Sequence, residues 1–271
     1  MIKRSPASAA RDATLTATAL VLAALFVLFG AIALVALILR ITPSGMSEAL
    51  RDPVVAQALW LSVRTSLLSS LIIVVFGTPL AALLSTPFRG RAALETLVML
   101  PVVLPPVVGG LALLLAFGRA GLLGRELNFF GLHLPFTTAA VVIAQTFVAA
   151  PLYIAVAKGV FTRVDPELLD AASTLHASRA YTFIRVVLPP AMPALAGGLT
   201  LAWARALGEF GATITFAGNL PGVTQTMPIA VYMAAQTDLQ AAIAIAVILM
   251  VLSYGALLAV RHAAGDSGLG L

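Results

Sequence analysis

Long apolar runs without charge dominate this sequence and restrict what it can fold into. The first run, residues 13–39, carries no charged side chain between Asp12 and Arg40, and it exceeds the roughly 20 residues that cross a bilayer as a helix. Further apolar runs cover residues 59–84, 97–117, 136–157, 191–216 and 239–260, and charged side chains occur only in the first and fourth of these. Because backbone groups in lipid must bond within the protein, such runs have to be helical. The sequence therefore predicts an all-α, polytopic membrane protein with about six transmembrane helices.

The composition agrees with this class and excludes several functions. Hydrophobic residues make up 61% of the chain and charged residues 10%, against roughly 25% charged residues in soluble domains. The net charge of +5 at pH 7 does not indicate nucleic-acid binding, because the basic residues flank the apolar runs. The chain has no cysteine, no His, Asp and Glu cluster with metal-ligand spacing, and no nucleotide-binding loop of the form Gly-x-x-x-x-Gly-Lys-Ser/Thr. We therefore predict no catalytic site, metal or cofactor in this chain.

Basic residues in the loops predict the orientation in the membrane. With the N-terminus in the cytoplasm, ten basic residues fall on cytoplasmic segments and four on external ones, in agreement with the positive-inside rule. The cytoplasmic set is Lys3, Arg4, Arg11, Arg89, Arg91, Lys158, Arg163, Arg179, Arg185 and Arg261, and the external set is Arg40, Arg51, Arg119 and Arg125. The chain then divides into a cytoplasmic tail 1–12, a transmembrane domain 13–262 and a cytoplasmic tail 263–271. A signal peptide is the alternative for residues 13–39, but its apolar core would be only about 7–15 residues long.

The third apolar run, residues 97–117, is rich in helix-breaking residues. It contains Pro101, Pro105, Pro106, Gly109 and Gly110, so it cannot form a straight helix. Broken helices at membrane depth are tolerated where neighbouring helices or a water-filled cavity satisfy the freed backbone groups. The run is expected either to border a pathway or to be a kink that serves packing.

The longest polar stretch between apolar runs covers residues 165–189. Asp165 can cap a helix whose first residue is a proline, and Glu167 in the first turn suits the positive end of the helix dipole. A second short helix can begin at Ser178 and is expected to end before Pro189. The pattern predicts a compact two-helix projection outside the bilayer.

This stretch resembles the EAA loop of permease subunits from ATP-binding-cassette (ABC) importers. The motif of the family is Glu-Ala-Ala, a glycine and an Ile-x-Leu-Pro ending; here Asp170-Ala171-Ala172, His176 and Val186-Val187-Leu188-Pro189 take these positions. The resemblance implies that the loop is a coupling helix seated in a cleft of the ATPase subunit. The residues implied in ATPase coupling are Asp165, Glu167, Asp170, Ala171, Ala172, Leu175, His176, Ser178 and Arg179. The alternative is an amphipathic helix on the membrane surface.

A second stretch, residues 203–232, closely resembles the molybdate permease branch of the same family. The branch has an Ala-Arg-x-Leu-Gly-Glu-Phe-Gly-Ala-Thr run followed by a Gly-Asn-x-Pro-Gly-x-Thr-x-Thr loop, and this chain matches at residues 204–213 and 218–226. Sulfate permeases are similar but usually read Glu-Tyr-Gly-Ser after the Leu-Gly. The turn-rich composition predicts an external loop, and its candidate residues are Asn219, Pro221, Gly222, Thr224 and Thr226.

Three charged residues lie inside predicted spans and are candidates for the translocation pathway: Arg64, Arg205 and Glu209. A lone charge at the bilayer centre costs about 2.5–3.5 kcal/mol on insertion scales, so Arg205 and Glu209 should face the bundle interior. Arg205 and Glu209 are four residues apart and should share one helix face, in the weaker order for an ion pair, which favours additional partners. They are expected to act as a structural clasp or as part of a gate.

The resemblance implies the type I ABC importer permease fold and a complete assembly. It predicts a homodimer in the bacterial cytoplasmic membrane with both termini in the cytoplasm, two ABC ATPase subunits that use ATP and Mg, and an external oxyanion-binding protein. The predicted substrate is molybdate, with tungstate and sulfate or thiosulfate as alternatives. More remote alternatives are a secondary transporter or channel and a structural protein without transport.

Overall fold

A computed structural model describes residues 6–263, and every regular element in that range is helical, which confirms the all-α class. The elements in chain order are α1 (Pro6–Leu39), α2 (Pro43–Arg51), α3 (Pro53–Ser85), α4 (Arg91–Val103), α5 (Pro106–Phe117), α6 (Gly124–Phe129), α7 (Thr138–Thr162), α8 (Pro166–Thr174), α9 (Arg179–Thr182), a π-helical turn (Phe183–Val187), α10 (Leu188–Leu207), α11 (Gly211–Phe216), α12 (Met227–Ala235) and α13 (Leu239–Ala263). Of the two predicted tails, residues 1–5 and 264–271 lie outside the described residues.

Helices suited to crossing a membrane account for most of the predicted spans. Four described stretches are long and apolar enough: Leu15–Leu39, Pro53–Ser85, Thr138–Thr162 and Arg179–Leu207. The pair α4 and α5 forms a fifth if its two parts are taken as one broken span, and α13 contributes the shorter apolar stretch Leu239–Gly255. The count of six spans stays a prediction.

The proline-rich third run is broken, as its composition predicts. Helices α4 and α5 meet at an angle of 118°. Leu104 and Pro105 each precede a proline, which disfavours the helical conformation, and their ψ angles are 136° and 132°. Helix α5 then begins at Pro106, where a missing N–H leaves no bond unmade.

Helices α3, α7 and α10 form the main core. Gly77 of α3 lies against α7, where an added Cβ would be 3.2 Å from Tyr153, and the hydroxyls of Thr78 and Tyr153 hydrogen bond at 2.7 Å. Near the other ends of these two helices, Thr138 donates a hydrogen bond of 2.9 Å to the Val223 carbonyl, and Gly222 lies beside Gln57. Helices α3 and α7 therefore run in the same direction.

Two predicted boundaries on the fifth span are wrong. The second helix of the polar stretch does not end before Pro189, because Arg179–Leu207 is one continuous helical stretch through a π-helical turn. The π-helical turn immediately precedes Pro189 and Pro190, which occupy the first turn of α10. The predicted span 191–216 is in turn interrupted after Leu207, and the separate short helix α11 begins at Gly211.

Candidate functional site

The two-helix projection begins as its sequence predicts. Asp165 caps α8 by accepting a 2.9 Å hydrogen bond from the Glu167 N–H, with Pro166 at the first helical position. Ser178 caps α9 in the same way, accepting from the Tyr181 N–H at 3.2 Å. Both caps satisfy backbone donors that a helix start leaves free.

His176 closes α8 in a left-handed conformation. Its φ is 55°, at the position where the resembling family has glycine. The His176 N–H donates to the Ser173 carbonyl at 2.9 Å and the Ala177 N–H donates to the Ala172 carbonyl at 3.0 Å, which together form a Schellman motif. A side chain in this conformation is strained, because its Cβ approaches the backbone closely.

Replacing His176 with glycine is therefore expected to raise the free energy of unfolding by about 1 kcal/mol or leave it unchanged. His176→Val, which tolerates positive φ poorly, should lower it. Thermal unfolding of the detergent-solubilised protein measures both. A loss of stability in His176→Gly would mean that the imidazole makes a contact that outweighs the backbone strain.

The projection leaves apolar side chains uncovered. Ala172 is buried, whereas Leu168, Leu169 and Leu175 are 50%, 40% and 81% exposed. All four lie on the apolar side of α8 by helical spacing, and Asp170 lies on the opposite side. The predicted apolar face of α8 is thus only partly packed on its own chain. Arg179, Glu167 and Ala171 are also exposed.

Arg205 and Glu209 form a direct ion pair. Arg205 Nη1 lies 2.6 Å from Glu209 Oε2, the Glu209 side chain is 1% exposed, and that of Arg205 is 33% exposed. The expectation that both lie on one helix is wrong, because α10 ends at Leu207 and Glu209 lies in the connection to α11. The expected additional partner is the N–H of Ala212, which donates to Glu209 Oε1 at 2.8 Å. Glu209 therefore ties the end of α10 to the start of α11.

The two helix breaks of the bundle lie against each other. An added Cβ on Gly211 would be 2.8 Å from Pro106 Cβ and 3.2 Å from the Val107 nitrogen. One turn further along, a Cβ on Gly110 would be 2.7 Å from the Ala212 carbonyl oxygen. The starts of α5 and α11 are thus in backbone contact, which only glycine permits at these positions.

Arg64 lies apart from this pair. It is exposed on the side of α3 that also exposes Trp60, Leu67 and Leu71, and it forms no ion pair within residues 6–263. By the parallel pairing of α3 with α7, it lies near the level of the first turn of α7. A basic side chain with a neighbouring Trp at this level fits the membrane interface.

The predicted external loop is only partly exposed. Pro221 and Gly222 (φ 73°) form its exposed tip, while Thr224 and Thr226 are fully buried and Asn219 is partly buried. The Thr224 hydroxyl accepts a 2.9 Å hydrogen bond from the Leu220 N–H. The loop then enters the bundle, where the Met227 N–H donates to the Ser62 hydroxyl at 2.7 Å. Its carboxyl-terminal part is therefore a packed element and not a free loop.

Several buried polar side chains were not predicted from the sequence. Ser66 accepts a 3.1 Å hydrogen bond from Trp203 Nε1, which joins α3 to α10. The signal was present in the Ser and Thr residues at helical spacing along α3, which are Ser62, Thr65, Ser66, Ser69 and Ser70. Gln145 of α7 and Thr213 of α11 are also fully buried, and no comparable pattern marks them.

Comparisons with known proteins agree with this architecture. The family model described as "Binding-protein-dependent transport system inner membrane component" matches residues 73–264. The molybdenum transport system permease protein ModB of Mycobacterium bovis is 43% identical over 229 residues, which cover 84% of this chain and 86% of that protein. The probable transport system permease protein NifC of Clostridium pasteurianum is 38% identical over 256 residues, covering 91% of this chain and 89% of that one.

Solved structures show the same fold at low sequence identity. A chain of a bacterial ABC transporter involved in the import of the acidic polysaccharide alginate superimposes with a TM-score of 0.76 at 17% identity, covering 95% of this chain and 96% of that chain. At this identity the likeness concerns the fold alone. Together with the family match, it shows that the chain belongs to the inner membrane components of binding-protein-dependent transport systems, the permeases of ABC transporters.

Proposed function

We propose that this chain is the permease subunit of an ATP-driven importer that carries molybdate across the cytoplasmic membrane. The observation that carries the proposal is the 43% identity, over 84% of the chain, to a relative named as a molybdenum transport permease. The motifs at residues 204–213 and 218–226 support it, because both match the molybdate branch and the first contains the Arg205–Glu209 ion pair.

The proposed assembly contains two copies of this chain, two cytoplasmic ATPase subunits that use ATP and Mg, and an external oxyanion-binding protein. Helix α8 would seat in the ATPase, as its partly uncovered apolar side suggests. None of the described side chains of α1 is buried, and within the described residues α13 is the one helix against which α1 packs substantially. Helix α1 therefore has surface available for lipid or for a second copy of the chain. Both termini would be cytoplasmic.

The continuous helix from α9 to α10 suggests how ATPase movement reaches the membrane domain. Arg179–Leu207 is one stretch of 29 residues, which corresponds to about 43 Å at 1.5 Å per residue. It begins beside the coupling helix and ends at the break that Glu209 bridges. A displacement of α8 would therefore tilt α10 and act directly on the contact between α11 and α5. This supports alternating access, with nucleotide binding opening the outer side.

The proposal is tested by uptake of labelled molybdate into vesicles that hold the complete transporter with its own binding protein. Uptake should require ATP, and excess tungstate should suppress it. Sulfate uptake that excess molybdate fails to suppress would overturn the molybdate assignment. Uptake without ATP that an ionophore abolishes would instead indicate a secondary transporter.

The orientation is tested with single cysteines in the naturally cysteine-free chain. Ser173→Cys on α8 should react with an impermeant thiol reagent only from the cytoplasmic side, and Val223→Cys at the loop tip only from outside. Both positions are exposed, so absence of labelling reports sidedness and not burial. Labelling of Ser173→Cys from outside would contradict the role of α8 in coupling.

A further inference from the structure

Three polar side chains in the bundle interior have polar atoms without a partner. Gln145 and Thr213 are fully buried, and Thr146 buries its hydroxyl. Both amide atoms of Gln145 and the hydroxyl oxygens of Thr146 and Thr213 lack a hydrogen-bond partner within residues 6–263. Buried polar groups are normally paired, and an unpaired one within a membrane domain is especially unfavourable. These groups are therefore candidates for a role in another state of the protein.

These three residues, here called the polar layer, lie in one cross-section of the bundle. Gly109 of α5 lies against α7, where an added Cβ would be 3.1 Å from Phe147, and the next residue, Gly110, lies against Ala212 of α11. Residues 145–147 and 212–213 are therefore at the same level. Ala144, Val148 and Ala212 also belong to one packed cluster.

Charged groups and both helix breaks border the polar layer. Glu209 accepts a hydrogen bond from the N–H of Ala212, which lies at the level of the polar layer. The other carboxylate oxygen of Glu209 lies 2.6 Å from Arg205 Nη1. The breaks that precede α5 and α11 meet at Gly211, which is next to the polar layer. Helices α5 and α11 are joined to each other by backbone contacts at Gly110 and Gly211. They can therefore move together relative to α7, and this movement would change the surroundings of Gln145 and Thr146 on α7 and of Thr213 on α11.

We infer that the polar layer lines the translocation pathway in the outward-open state and binds the passing oxyanion with neutral donors. This inference rests on the proposed function. The Gln145 amide offers two N–H donors, and Thr146 and Thr213 offer one O–H each. A tetrahedral oxyanion that leaves water needs several donors, and neutral ones hold it without the tight binding of a positive charge. Glu209 neutralises the positive charge of Arg205. The site therefore has little net charge that would bind the anion too tightly to release it.

The first test uses cysteine accessibility in the complete transporter. Gln145→Cys and Thr213→Cys should resist an impermeant thiol reagent added from outside without nucleotide. With Mg and a non-hydrolysable ATP analogue, they should react about tenfold faster or more, since burial is lost. Ala149→Cys, on the side of α7 that packs into the core formed with α3 and α10, is the matched control and should stay unreactive. Equal reactivity in both states, or equal reactivity of Ala149→Cys, would overturn the inference.

The second test asks whether the layer binds the anion. Thr213→Val and Gln145→Leu preserve shape but remove donors, and each should reduce molybdate uptake about tenfold or more, the worth of a hydrogen bond to a charged group. ATP hydrolysis stimulated by the loaded binding protein should persist. Thr200→Val is the control, because the Thr200 hydroxyl bonds the Ala196 carbonyl of its own helix.

The two proposals fail separately. Normal uptake in both Thr213→Val and Gln145→Leu would overturn the binding role of the layer, while leaving the permease function in place. Absence of molybdate uptake by the unmodified transporter would overturn the substrate and not the pathway, because accessibility reports the opening whatever ion is carried.

Discussion

Arg205→Met is expected to destabilise the membrane domain by about 3–5 kcal/mol, the usual cost of leaving a buried charge without its partner. Glu209 is 1% exposed, and its carboxylate contacts Arg205 Nη1 and the Ala212 N–H. With the guanidinium removed, one backbone N–H would remain to balance a full charge in a low-dielectric interior. The yield of inserted protein and its thermal unfolding in detergent should both fall.

Glu209→Gln is expected to cost less, about 1–3 kcal/mol, because it removes the buried charge itself. The amide oxygen of the new side chain can still accept from the Ala212 N–H, so the link to α11 is kept. Arg205 is one-third exposed and can turn towards water. Arg205→Met is therefore expected to cost more stability than Glu209→Gln, because Glu209 is the more deeply buried partner.

The double variant Arg205→Met with Glu209→Gln should be more stable than Arg205→Met alone, because no charge is left unpaired. Arg125→Met, at an exposed position of α6, is the control for loss of a positive charge. A double-mutant cycle on unfolding temperatures gives the interaction between the two residues. Additive losses would mean that the pair contributes no coupling and that its close contact is incidental.

The parts of the fold that follow from local chemistry could be predicted from the sequence. Long apolar runs predicted the helices, the prolines at positions 105 and 106 predicted the broken span, and Asp165 and Ser178 predicted two helix starts. Each of these depends on a few neighbouring residues. The left-handed conformation of His176 falls at the position where the resembling family has glycine, and no other feature of the sequence indicates it.

The remaining features depend on tertiary contacts that no local pattern encodes. The Pro189 boundary was wrong because a π-helical turn carries the helix onward. The break after Leu207 was missed because hydropathy registers Glu209 only as a charge. It does not show that the Glu209 carboxylate pairs with Arg205 across the end of α10. Burial of Thr224 and Thr226 was missed because the loop is held by Ser62 of a distant helix. The polar layer combines α7 with α11, and no sequence spacing connects them.

Leu175→Asp is expected to abolish coupling between the permease and its ATPase. Leu175 is 81% exposed at the end of α8, on the apolar side of the projection. If this side seats in the ATPase, an aspartate there would be desolvated without a partner, at a cost of about 3–5 kcal/mol. This corresponds to a loss of more than about a hundredfold in affinity. Ala172 is a poorer position for this test, because it is buried against its own chain and a charge there would displace α8.

Thr174→Asp is the matched control for Leu175→Asp, because it adds the same charge one residue away on the polar side of α8. It should retain the ATPase on co-purification, together with molybdate uptake, whereas Leu175→Asp should lose both while remaining inserted. Reconstituted vesicles then distinguish uncoupling from dissociation, since an uncoupled complex hydrolyses ATP without uptake. If Thr174→Asp lost the ATPase and Leu175→Asp kept it, the polar side that carries Asp170 would be the docking surface. The exposed leucines would then have to face the membrane surface.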